Sequence, residues 1–269
     1  MNSTDSAASA ARTAQDSTVF RTLARVGYVV LGILHLLIGG IAISIATGGG
    51  GEADQGGAMQ QIQRSPAGVV LLWIIVLGLV ALAIWQIAEA VLERDPDAKK
   101  KWGHRIKFLG TAAAYVAIAG TALVYALGGQ SQSSDSSQSF SARLLAAPAG
   151  VALLVLVGLI VVAVGGAFVV RGITRAFTKH LELPTGAARK GIIAFGVVGY
   201  IAKGIAVGVA GILFVVAALT HDPETAGGLD AALRALAGLP FGVIILWTVG
   251  AGLVLYGLFC FARARYARM

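Results

Sequence analysis

The sequence predicts an all-α polytopic membrane bundle, six transmembrane helices built as three tandem hairpin repeats in a pseudo-threefold arrangement. Three observations predict it. The 269 residues are 57% hydrophobic and 13% charged, whereas soluble domains are nearer half apolar and a quarter charged. The apolar residues gather into runs long enough to cross a hydrocarbon core, which takes about 20 residues at ~1.5 Å each. A Pro-x-Gly triplet, Pro66-Ala67-Gly68, Pro148-Ala149-Gly150 and Pro240-Phe241-Gly242, heads every second run.

The spans are expected at 26–46, 68–88, 108–127, 150–170, 192–219 and 241–262. His35 in the first and Lys203 in the fifth are their ionisable side chains besides Cys and Tyr. Residues 1–18 are rich in Ser, Thr, Ala and Asp without an apolar stretch. No cleaved signal peptide is therefore expected, and the first run reads as an uncleaved anchor. The organisation expected is a disordered cytoplasmic tail over 1–20, then hairpins over 21–98, 99–185 and 186–269. One cysteine, Cys260, leaves no intramolecular disulfide.

Charge sets the orientation. Of the 21 Lys and Arg residues, only Arg64, Arg143 and Arg234 fall in the connections after the odd-numbered spans, and Lys203 lies inside a span. The remainder flank the termini and the connections after the even-numbered spans. Short loops rich in Lys and Arg stay in the cytoplasm, so both termini are expected there, with the chain in a bacterial plasma membrane. The net charge of +8 then reads as membrane-flanking charge, and no nucleic-acid partner is expected.

The hairpins resemble one another. The stretch 66–90 aligns with 240–264, matching Leu72-Trp73 to Leu246-Trp247 and Gly78 to Gly252. Gly27-Tyr28 with Gly32 matches Gly199-Tyr200 with Gly204, while the middle copy has Gly110 and Tyr115 but no Gly-Tyr pair. Two-span repeats all enter the membrane with one orientation and are related by an axis along its normal. Each proline is expected in a first helical turn, where it needs no amide donor. The stretches before them, 58–64, 141–147 and 229–238, are expected to be small interfacial helices with an arginine toward headgroups.

These features, with the run Gly228-Leu-Asp-Ala-Ala-Leu-Arg-Ala-Leu236, resemble the bacterial domain of unknown function 1206 family over nearly the whole chain after Phe20. The family often has Ala-Arg-Gly where this chain has Ala202-Lys203-Gly204, which keeps the charge and loses the bidentate fork. The resemblance implies a multi-pass plasma-membrane protein and assigns no catalytic or binding residue.

The intramembrane polar candidates are His35, Lys203, Glu89, Arg171 and Arg263. His35 lies ~15 Å along the helix from Arg25, near mid-membrane. An ionisable group there is a functional candidate. A neutral imidazole bonded to a neighbouring carbonyl or hydroxyl is the competing reading, favoured by the lack of a second mid-membrane acid or base. Lys203 lies ~9 Å inside the boundary, where its stem can snorkel outward. Glu89, Arg171 and Arg263 hold equivalent places in the three hairpins, so a threefold ring brings them to one depth. They form either an anion-attracting vestibule or an ion-pair network, or they only mark the interface. The run Lys99, Lys100, Lys101, Trp102, Arg105 and Lys107 suits anionic lipid headgroups, each near-surface cation adding about 1 kcal/mol. Gly204-Ile-Ala-Val-Gly208 reads as helix-packing surface inside the chain.

Nucleophile elbows, HExxH, P-loops and paired-cysteine spacings are absent from the sequence. No catalytic residue, metal or cofactor is expected. The leading function class is a non-enzymatic scaffold, assembly or accessory component, in contact with lipid and possible membrane-protein partners. The alternative is a permease for a small solute, ion or lipid, with its site on the repeat axis.

Overall fold

The computed structural model describes residues 18–93 and 97–268. The tail expected over 1–20 lies outside the described residues up to residue 17, as does Arg94. Six long helices, α1 (Thr18–Ala46), α3 (Gly68–Leu92), α4 (Ala98–Ala126), α6 (Gly150–Ile173), α7 (Ala187–Thr220) and α9 (Gly242–Tyr266), cover the expected spans except for Leu127 and Phe241, which are helix caps. All six are long and apolar enough to cross a membrane. Three short helices, α2 (Gln55–Gln63), α5 (Ser133–Leu145) and α8 (Gly228–Ala237), join the two long helices of each hairpin. Short 3₁₀ turns occupy Ala176–His180 and Pro223–Thr225.

Local chemistry ends each element. Asp97 caps α4 by accepting from the amides of Lys99 (2.9 Å) and Lys100 (3.4 Å). After α1 and α4 the chain reverses through Gly48 and Gly128 at positive φ, and the Gly49 and Gly129 amides return to Ser44 and Val124 carbonyls. His221 takes the left-handed conformation after α7, where the other two hairpins have glycine.

The Pro-x-Gly triplets form tight turns just before α3, α6 and α9, with proline outside the helix. The Gly68, Gly150 and Gly242 amides donate to Ser65, Ala147 and Leu239 carbonyls at 2.9, 2.9 and 2.7 Å. Proline's fixed φ suits the second residue of such a turn. Ala149 and Phe241 stand third with φ of 59° and 60°. The glycine is required by proximity, because a Cβ on Gly68, Gly150 or Gly242 would collide with the carbonyl of Ile62, Leu144 or Ala237.

Glycine also sets which helices pair. The broadest contacts join consecutive hairpins: α3 with α4, α6 with α7, and α9 back to α1. Gly32 and Gly39 of α1 meet Gly257 and Gly250 of α9, while Gly204 and Gly211 of α7 meet Gly165 and Gly158 of α6. Backbones this close gain van der Waals contact, the term that drives association where lipid removes the hydrophobic one. Within hairpins, α1 packs on α3 through Gly27 and Gly78, and α7 on α9 through Gly199 and Gly252. The arms of the middle hairpin, α4 and α6, do not form a packed pair. The ring of six is thus open at one seam. Apolar side chains cover the outer faces, among them Val70 and Leu77 on α3 and Leu156 and Ile160 on α6.

One end of the bundle is closed by the short helices. The short helices and the segments that flank them are tied to one another by hydrogen bonds. The Ala53 amide donates to Asp230 Oδ1 at 2.8 Å, and the Gly56 amide to Ser133 Oγ at 3.1 Å. Gln138 Nε2 donates to the Glu224 carbonyl at 2.9 Å. Arg234 reaches both Asp230 and the Gly51 carbonyl at 2.7 Å. Arg64 and Arg143 are exposed. At the opposite end, Leu181 and Ala267 form an isolated antiparallel bridge that ties the α6–α7 connection to the C-terminal segment.

Candidate functional site

The polar interior lies at the end of the bundle that carries the chain termini. It is assembled on tyrosines that the repeats bring inward. Tyr28 of α1, Tyr200 of α7 and Tyr256 of α9 are each at most 6% exposed. The Arg263 guanidinium lies 4.3 Å from the Tyr28 ring centroid, and that of Arg171 lies 5.4 Å from Tyr200. Each arginine closes the last turn of its hairpin's second span and covers the Gly-Tyr pair of the next hairpin. The ring closes cyclically here, because the partner of Arg263 is on the first helix.

Lys203 extends between two rings, 4.5 Å from Tyr256 and 5.1 Å from Phe168. His35 packs against Tyr256 as well, with ring centroids 4.6 Å apart. Its Nδ1 lies 2.7 Å from the Leu31 carbonyl and donates to it, which holds the imidazole in one orientation. Tyr200 meets Tyr256 edge-on at 5.1 Å, and Phe177 stacks on Tyr200 at 5.3 Å. An aromatic face attracts a cation by about 0.5 to 2 kcal/mol, more as water is excluded. Such contacts hold the three cations in place without neutralising them.

Of the residues expected from sequence, His35, Lys203, Arg171 and Arg263 therefore converge. Glu89 and Lys107 are electrostatic neighbours at the remaining junction, between the first and second hairpins, with Glu93 close to the same lysine. The Lys107 ammonium stands 4.6 Å from the Phe108 ring. Lys99, Lys100 and Trp102 are exposed along the first turns of α4, and Lys101 is half-buried. Arg105 donates from Nε to the Ala90 carbonyl at 3.1 Å, with its guanidinium 5.9 Å from the Trp102 ring. Sequence reasoning missed Tyr256, Phe168 and Phe177. Tyr28 and Tyr200 did carry a signal, as half of a repeated Gly-Tyr pair.

The capped end holds a second polar group. Asp54 is fully buried and accepts from the Gly57 amide at 2.9 Å. Burial raises its pKa, and hydrogen bonds from amides only partly oppose that. Burial raises Glu52 as well, and the neighbouring carboxylates of Asp54, Asp230 and Asp135 add to it. The order of these contacts describes an N-cap and a helix-to-helix clasp. Among the described residues no three His, Cys, Asp or Glu side chains are placed to hold a metal ion. The one thiol, Cys260, is buried and 1% exposed.

Comparison with known proteins places this geometry in a family. A model described as Domain of Unknown Function (DUF1206) matches three times, at residues 26–93, 106–175 and 198–267. The junction between the first and second hairpins carries a Lys107–Glu89 neighbour pair where the other two carry Arg over Tyr. An uncharacterized protein of Bacillus subtilis (strain 168), YxxB, is 33% identical over 251 residues, spanning 91% of this chain and 90% of that protein. No solved structure matches. The repeated glycine contacts, the three turns and the threefold match agree: this chain belongs to the DUF1206 family of membrane-spanning helical repeats, whose function is unknown.

Proposed function

We propose that the protein is a non-enzymatic component of a bacterial plasma membrane, a scaffold, assembly or accessory subunit, with both termini in the cytoplasm. The observation that carries this reading is the apolar layer buried inside the bundle. Leu34 and Ile38 of α1 and Leu246 of α9, with Met59 of α2 and Leu233 of α8 in the cap, are each no more than 1% exposed. A conduction path needs polar groups or water through that layer, and unsatisfied polar groups in hydrocarbon cost several kcal/mol each. The non-enzymatic reading draws support from the chemistry of the interior, where cations face aromatic rings and the buried thiol has Tyr256 beside it. The orientation rests on the Lys and Arg residues gathered at the terminal end.

Purified protein in liposomes should leak chloride, potassium and protons at the rate of empty liposomes. Flux that rises with protein content and disappears in Lys203→Gln would overturn the scaffold reading and make the axis a permeation path.

A further inference from the structure

The open seam and the cations at the terminal end of the bundle fit one kind of ligand. Arg171, Lys203 and Arg263 come from three helices, α6, α7 and α9, and all are half-buried. The rings of Tyr200, Phe168, Tyr256 and Tyr28 contact them. Lys107, Glu89 and Glu93 lie together at the neighbouring junction, and His180 faces Arg171, Lys107 and Arg263 from the 3₁₀ turn. Three positive charges next to the hydrocarbon region are expensive to keep without an anion, since Coulomb repulsion grows as the dielectric falls.

The missing helix contact supplies a way in. Every neighbouring pair of long helices around the ring packs except α4 and α6. These two are also the least buried spans, at 22% and 17%. Near the terminal end α4 exposes Ile106 and Leu109, and α6 exposes Val170 and Ile173. A ligand entering sideways there meets apolar side chains along its length and cations at its head. Arg171 and Arg263 sit in the last turns of their helices, the end of a span where a headgroup layer begins.

We propose that one anionic phospholipid occupies the seam between α4 and α6, its phosphate held by Arg171, Lys203 and Arg263 with Lys107 at the mouth. Two guanidiniums can each offer a bidentate fork to phosphate oxygens and the ammonium a third contact. The acyl chains take the place of the absent α4–α6 contact. This site is separate from the basic face at the start of α4 and does not depend on whether the axis conducts, so either reading can fail alone.

The test uses purified protein in neutral detergent with phosphatidylglycerol, phosphatidylcholine or inorganic phosphate added separately. Phosphatidylglycerol at about 100 times its Kd should raise the Tm by about 5 °C, and the other two additions should leave it unchanged. Arg171→Gln and Lys203→Gln should each lose most of that shift, whereas Lys99→Gln/Lys100→Gln/Lys101→Gln should keep it. Native mass spectrometry of the wild-type protein, which needs no variant, should show phosphatidylglycerol retained in preference to phosphatidylcholine. An equal response to phosphatidylcholine, or full reproduction by inorganic phosphate, would overturn the lipid site. Loss of the shift in the triple lysine variant alone would move binding to the outer face.

Discussion

Gly32 of α1 and Gly257 of α9 touch back to back: a methyl placed on Gly32 would lie 2.9 Å from the Gly257 carbonyl oxygen, and one on Gly257 would lie 2.7 Å from that of Gly32. Gly165 and Gly204 repeat the arrangement between α6 and α7, each a clash for the other's Cβ at 2.7 and 2.6 Å. These two pairs fix the first span to the last and the fourth to the fifth.

Gly32→Val and Gly204→Val should therefore separate their helix pairs, with losses of about 1–3 kcal/mol or more, the range for forced overpacking. Gly40→Ala and Gly166→Ala are internal controls, because nothing lies within 4 Å of a Cβ at either. Thermal unfolding in detergent should show the first two markedly lowered and the controls unchanged. Equal effects in all four would mean that helix propensity, and not close packing, governs these positions.

The spans, their hairpin order and the repeat were legible because length, hydropathy and the Pro-x-Gly triplets survive in any single copy. The glycines of Gly204-Ile-Ala-Val-Gly208 were legible as packing surface, and both meet Gly165. Which helices pair was not. Soluble helices announce their partner face by alternating polar and apolar residues, whereas α3 and α6 are apolar on every face until their last turns. The seam between α4 and α6 is invisible for the same reason. Arg171 and Arg263 could be placed at one depth by the repeat, but their partners, Tyr200 and Tyr28, belong to the next hairpin and required the ring to close. The proline reading failed locally: the turn depends on the close approach of Gly68, Gly150 and Gly242 to preceding carbonyls, a contact with no sequence period. The short helices were placed roughly, yet their clasp depends on Asp230 meeting the Ala53 amide across most of the chain.

Orientation is testable with single cysteines in a Cys260→Ala background. Exposed positions at the capped end, Gly50 and Ser136, should react with a membrane-impermeant thiol reagent in intact cells. Lys100 and Thr185, exposed at the terminal end, should react only after permeabilisation. Asp54 is unsuitable because it is fully buried. The reverse pattern would place the termini outside, and a mixed one would break the six-span count.

His180 reports on the cations from outside the spans. His180 is exposed at the surface, yet partial desolvation of its ring lowers its pKa from the usual 6.5 to about 4, and Arg171, Lys107, Arg263 and Lys179 push in the same direction. A histidine with a depressed folded pKa binds protons less readily than in the unfolded chain. Its neutral form thus contributes stability that is full above 6.5 and is lost as pH falls through 6.5 toward about 4. Imidazole resonances followed against pH in a His104→Gln/His221→Gln background should show a His180 midpoint near 4. Arg171→Gln should move it upward toward 6.5, Arg265→Gln should leave it in place, and added phosphatidylglycerol should raise it in the wild type by offsetting the same charges. A midpoint already at 6.5, or one indifferent to both Arg171→Gln and the anionic lipid, would mean that the cations do not share an electrostatic site with His180, and the convergence of Arg171, Lys107 and Arg263 would lose its physical consequence.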